Sequence, residues 1–195
     1  MNRRSVLLKV EPPFRPVSPR VARLSGSAVA SWLTEPDSLT RRIRSFCGSA
    51  FRVHVLGEHW LKPFRGEAAE LGLHEHGLAW IREVALYAGP TPVVLARTVI
   101  PRDTLSGRHS LVSRLGTRPL GEWLFANRGL RRLSLEAVRV NAERWRESAG
   151  VGTITGPVWG RRSLYAVARD TLLVSEFFLP ELIRLERHVG RIEPA

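Results

Sequence analysis

The chain has a single cysteine, Cys47, and so lacks the pair needed for an intrachain disulfide. It needs no oxidising compartment, and a cytoplasmic location is expected. Long apolar runs are also missing. The start, Met1-Asn2-Arg3-Arg4-Ser5-Val6-Leu7-Leu8, has the charge of a signal peptide, but Lys9, Glu11, Pro12 and Pro13 cut its apolar stretch short. No later stretch is long enough to cross a bilayer as a helix, so a protein free of membrane insertion is expected. Lysine is nearly absent: of 30 basic residues only Lys9 and Lys62 are lysines, and arginine carries almost all of the formal net charge of +12. No zinc-ligand cluster, aromatic-glycine RNA signature or heptad-zipped basic region accompanies that charge, which argues against a nucleic-acid module. Nucleophile elbow, P-loop and dinucleotide fingerprint are absent too. His74 and His76 stand without a third ligand at metal-binding spacing, so no metal is expected. Two readings of the charge then stay open: a field that concentrates a small anionic substrate, or arginine usage that follows from a GC-rich genome and carries no function.

What is present is enough for one core: 195 residues, of which 44% are hydrophobic. Residues 1–22, rich in proline and arginine and without periodicity, read as a mobile leader, and 23–190 as one domain. Helical patterns cover 28–33 and then run from Asp37, a plausible N-cap, through Leu39, Ile43 and Phe46 to a stop at Gly48. Six segments rich in β-branched, aromatic and leucine residues follow: 51–61, 78–88, 93–100, 133–140, 158–168 and 172–179. The connections Gly89-Pro90-Thr91-Pro92 and Arg169-Asp170 are too short for crossover helices, so those strand pairs should be antiparallel hairpins. Short helical stretches lie at 109–115 and 121–127. The expected fold is α+β: a single domain with an antiparallel sheet of about six strands and helices at one side.

Two charges sit in apolar company. Leu78, Trp80, Arg82, Val84 and Leu86 share one face of their strand, as do Leu172, Val174, Glu176 and Phe178 of the last. An isolated buried ion costs several kcal/mol, so each needs a partner or a ligand. Arg82 and Glu176 could simply pair with each other. Alternatively both face a small-molecule pocket, where an arginine grips a carboxylate through two parallel hydrogen bonds and a glutamate accepts from, or shares a proton with, a ligand hydroxyl. Such a slot suits something flat with a carboxylate at one end and a hydroxyl at the other. Arg97, in phase with Val93, Leu95 and Val99, is either a third inward charge or reaches a strand edge. The turn Gly156-Pro157 leads into Trp159-Gly160-Arg161-Arg162, whose arginines face either solvent or the site.

Several segments in order resemble those of bacterial chorismate lyases: Trp80-Ile81-Arg82-Glu83, Ala96-Arg97-Thr98-Val99-Ile100-Pro101, Thr104-Leu105-Ser106-Gly107, Thr117-Arg118-Pro119-Leu120-Gly121, Trp159-Gly160-Arg161-Arg162-Ser163 and Ser175-Glu176-Phe177-Phe178-Leu179-Pro180. The resemblance runs from about Asp37 to Pro180. It implies the chorismate lyase/UTRA-like fold, shared with ligand-sensing domains of some transcription regulators. It also implies loss of pyruvate from chorismate to leave 4-hydroxybenzoate, the first committed step toward ubiquinone. By the same resemblance Arg82 binds the carboxylate of the aromatic product, a backbone group of Leu120 meets that carboxylate, and Glu176 lies by the hydroxyl. The segment 36–42 corresponds to part of a lid, with Leu39 where the family carries methionine, a change that conserves volume and apolar character.

Chorismate already holds a cyclohexadiene ring, so loss of its enolpyruvyl ether and one ring hydrogen makes it aromatic without a metal or hydride carrier. The enzyme must orient and polarise, and Arg161 or Arg97 is a candidate for the enolpyruvyl carboxylate. A closed, lidded pocket also points to product release as the slow step. A monomer with chorismate, 4-hydroxybenzoate and pyruvate as its only partners is expected. The rival from another class is a non-catalytic aromatic-acid sensor on the same fold, for which no helix-turn-helix region is evident.

Overall fold

The computed structural model describes residues 4–74, 77–105, 110–147 and 151–189; His76, His109 and the Ser106-Gly107 pair lie outside these. Seven strands form one fully antiparallel sheet: β1 (Arg15–Pro16), β2 (Phe51–Leu61), β3 (Ala79–Ala88), β4 (Thr91–Pro101), β5 (Leu130–Val140), β6 (Val158–Val167) and β7 (Asp170–Phe178), in the order β1-β5-β6-β7-β4-β3-β2. The six expected strands are all present, and the two expected hairpins join β3 to β4 and β6 to β7. Gly89 closes the first of these turns at φ 62°, a left-handed conformation that glycine adopts without a Cβ clash.

Among the described residues seven α-helices accompany the sheet: α1 (Pro19–Ser25), α2 (Ser27–Leu33), α3 (Leu39–Cys47), α4 (Arg65–Glu70), α5 (Arg102–Leu105), α6 (Leu120–Ala126) and α7 (Pro180–Val189). α3 is capped by Ser38, not Asp37: the Ser38 side chain accepts from the Arg41 N–H, while Asp37 is exposed. Among the described residues no helix is long and apolar enough to cross a membrane.

Both faces of the sheet are covered. On one, Trp32, Leu33, Leu39 and Ile43 pack over Val53, Val84, Leu86 and Phe178, and Leu120 and Leu124 pack over Ile100, Tyr165 and Val174. On the other, Leu7, Leu8, Phe14 and Phe64 cover Ala85, Leu95, Val138 and Phe177. The expectation of a mobile leader is therefore corrected: from Arg4 onward this segment lies against the sheet. Leu7 and Leu8 are buried, Leu8 bridges to Trp145, and Arg15 and Pro16 pair with Ala137 and Glu136 of β5. Its apolar anchors fall in irregular backbone, which leaves no period to read.

Because side chains alternate along each strand, neighbouring charges part company. Arg82, Arg161 and Glu176 face the helices, whereas Glu83, Arg97 and Arg162 face the N-terminal segment. On that second face Arg97 is wholly buried, donates from Nε and Nη2 to the two oxygens of Glu67 at 2.7 and 2.8 Å, and reaches Glu83 at 3.1 Å. Glu83 in turn accepts from the Ser5 hydroxyl at 2.5 Å and the Val6 N–H at 2.6 Å.

Candidate active site

A cavity lies between the sheet and helices α3 and α6, and its lining includes Leu39, Arg82, Leu120, Arg161 and Glu176. Five of the six residues singled out from sequence thus meet in one place. The sixth does not: Arg97 is an inward charge, but on the opposite face. Its neighbour Thr98 pairs directly with Arg82, and adjacent residues of a strand point to opposite faces.

Arg82 and Glu176 do not form the mutual ion pair that their isolation allowed. Arg82 donates from Nε to Glu58 Oε1 at 2.8 Å and from Nη2 to the carbonyls of Gly116 and Arg118 at 2.7 and 3.2 Å. Its Nη1 has no acceptor among the described residues and is free for a ligand. Burial pushes this guanidinium below its ordinary pKa and Glu58 offsets only part of the shift, so an anion in the cavity would complete the compensation. Glu58 supplies that partner from the edge strand β2, whose register shifts between Val55 and Gly57.

Glu176 accepts from Arg161 Nε at 2.6 Å. Arg161 also donates from Nη1 to the carbonyls of Trp32 and Glu35 at 3.1 and 2.8 Å, which ties the end of α2 and the loop before α3 to the site. Burial depresses the Arg161 guanidinium, but the adjacent Glu176 carboxylate, with Tyr165 and Glu35, turns the net direction upward. The pairing depends on close approach of β6 and β7. A Cβ on Gly160 would come within 2.5 Å of the Phe177 ring and 2.9 Å of the Glu176 carbonyl, so the glycine of Trp159-Gly160-Arg161 is required by packing.

The roof is held by polar ties. Leu39 is buried at the start of α3, and Arg132 of β5 donates to the carbonyls of Glu35 and Pro36 at 3.0 and 3.5 Å while also donating to the Tyr165 hydroxyl at 2.9 and 3.2 Å. Arg42 bridges Glu35 and Glu186 and lies 3.7 Å above the Trp32 ring. α3 meets α6 through the Arg44–Glu122 ion pair and at Gly121, where a Cβ would press on the Ser38 and Thr40 hydroxyls at 3.0 and 3.1 Å. Leu120 follows the N-cap Pro119, so its backbone N–H has no earlier helical carbonyl to bond. Sequence reasoning missed Glu58, Thr98, Arg132 and Tyr165. Thr98 and Tyr165 were signalled by alternation, being in phase with Ala96 and Arg161 respectively.

An antiparallel sheet with a roofed, mostly apolar cavity, two inward guanidiniums and one carboxylate defines a domain that encloses a small organic acid. The sequence model of the family described as chorismate lyase matches residues 20–188, and the chain belongs to that family. It is 46% identical over 154 residues to the "Probable chorismate pyruvate-lyase" of Methylococcus capsulatus, covering 78% of this chain and 95% of that protein. It is also 46% identical over 177 residues to the protein of the same name from Aromatoleum aromaticum, covering 88% and 92%. In fold it is similar to a GntR-family transcriptional regulator from Bacillus cereus, with a TM-score of 0.53 and 12% identity over 68% of this chain and 94% of that one.

Proposed function

We propose that the protein eliminates pyruvate from chorismate and leaves 4-hydroxybenzoate. The observation that carries this reading is the convergence of Arg82, Leu120, Glu176 and Leu39 on one cavity in a chain of the chorismate lyase family. Arg82 anchors the ring carboxylate through its open Nη1, with the Leu120 N–H beside it. Glu176 takes the ring hydroxyl. Arg161 is the remaining cation of the cavity lining and meets the enolpyruvyl carboxylate, where positive charge stabilises the departing enolate. With Arg97 on the far face, Arg161 is the better of the two candidates. Leu39 closes over the ring and excludes water, and the buried setting strengthens each of these interactions.

The test is to mix purified protein with chorismate, without added metal or nucleotide, and to follow 4-hydroxybenzoate and pyruvate together. Equal formation of both, lost in Arg82→Ala, is the expected result. Tight binding of 4-hydroxybenzoate with no pyruvate would overturn it in favour of a sensor on the same fold.

A further inference from the structure

Strand register places a hydroxyl between the two anchors of the cavity. Arg82 of β3 stands directly opposite Thr98 of β4, and Glu176 of β7 stands directly opposite Ala96 of β4. Thr98 and Ala96 are two residues apart and share a face, so Arg82 and Glu176 lie diagonally across β4. With strands about 4.8 Å apart and side chains on one face repeating every ~7 Å, Thr98 sits near the middle of the floor. It lines the cavity between the two anchors and, as a residue, is only 3% exposed. Apart from Arg82, the floor beside it is apolar, with Val84, Ala96 and Val174. A hydroxyl on the wall of a mostly apolar cavity is one of the few polar groups there that can orient a ligand.

Chorismate supplies a partner for that hydroxyl. Its ether-bearing ring carbon adjoins the hydroxyl-bearing carbon and lies between it and the carboxylate end. With the carboxylate on Arg82 and the hydroxyl on Glu176, the ether oxygen comes to rest over β4. In the elimination the C–O ether bond breaks and its electron pair goes to oxygen. The hydrogen on the hydroxyl-bearing carbon leaves as a proton, and its C–H pair becomes the new ring double bond. The released enolate, protonated at its methylene carbon, is pyruvate.

We infer that Thr98 is a further catalytic residue, which donates a hydrogen bond to the ether oxygen as that oxygen gains negative charge. The assignment rests on the lyase reading of this site. It differs from the roles of Arg82 and Glu176 in one respect: 4-hydroxybenzoate has no ether oxygen, so Thr98 contributes to turnover and not to product affinity.

The experiment compares Thr98→Val, which keeps the β-branched shape and removes the hydroxyl, with Thr98→Ser, which keeps the hydroxyl. Thr98→Ala serves as a second hydroxyl-free variant, and 4-hydroxybenzoate binding reports that each pocket is intact. Expected are a fall in kcat of about 10²-fold in Thr98→Val and Thr98→Ala, near-wild-type kcat in Thr98→Ser, and unchanged product Kd in all three. Wild-type kcat in Thr98→Val would overturn the assignment of Thr98 alone, as would a loss of product affinity parallel to the loss of rate. Wild-type protein that releases no pyruvate would instead overturn the lyase reading on which the assignment rests.

Discussion

Arg82 and Glu176 face one cavity from strands separated by β4, and each is held by a partner of its own: Glu58 for the first, Arg161 for the second. Neither neutralises the other, and both line the cavity. The arrangement costs desolvation of two guanidiniums, and it is tolerated because backbone carbonyls take up part of the donors that the carboxylates leave over.

Replacing Glu176 by glutamine keeps the shape and one acceptor but removes the charge. Turnover of chorismate should fall by about 10²-fold or more if the carboxylate takes the ring proton. Steady-state kcat read from pyruvate release decides this, and near-normal turnover would leave Glu176 with an orienting role only.

Arg132 connects the loop before α3 to Tyr165, so its loss should loosen the roof. In Arg132→Ala the dissociation of bound 4-hydroxybenzoate should accelerate by about tenfold, the scale of one charged hydrogen bond. Stopped-flow release gives the rate directly. Wild-type protein should also show a burst of product followed by a slower phase, and the variant should not.

Removing Arg97 leaves Glu67 and Glu83 buried without their cation. Arg97→Ala should lose about 3–5 kcal/mol of stability in urea denaturation, while turnover per folded molecule stays at the wild-type level. A loss of rate without a loss of stability would show that Arg97 acts on the other face after all.

Burial pushes the Glu11 carboxyl above its ordinary range; the Gly66 N–H and Arg162 pull it down, and Glu67 adds to the rise. Folded protein therefore holds the Glu11 proton more tightly than unfolded protein. Between the ordinary carboxylate value and the raised one, the folded state binds more protons, so stability falls as pH climbs through that window. Glu11→Gln keeps an acceptor for the Gly66 N–H and removes the buried charge. Its Tm should exceed that of the wild type at neutral pH, and the gain should vanish below about pH 4, where the wild-type group is protonated in both states.

The strands were legible because apolar alternation persists over whole segments, and the same alternation exposed Arg82 and Glu176 as misplaced charges. Alternation within a strand does not say which face of the sheet that phase occupies. Arg97 was ambiguous for this reason, and only its register against Glu83 and Arg82 resolves it. Glu58 was hidden by the irregularity at Val55 and Gly57, which breaks the phase of β2. Ser38 and Asp37 are adjacent residues that both favour N-caps, so composition could not choose between them. α7 was overlooked although Pro180 at its first position is a recognised helix start, with Leu182 buried beneath it.

The pairs Arg82-Glu83, Arg161-Arg162 and Ser175-Glu176 each divide their side chains between the two faces of the sheet. A strand that slipped by one residue during assembly would turn Glu83 into the cavity and set Arg82 against the carboxylate-seeking Arg97. Strand β3 thus carries an error signal, since its misaligned pairing brings like charges together in a dry interior. The alternation that turns Arg82 to the cavity is the same one that turns Glu83 to the N-terminal segment, so a one-residue insertion in β3 would undo both placements at once and betray itself by the clash of charge it creates.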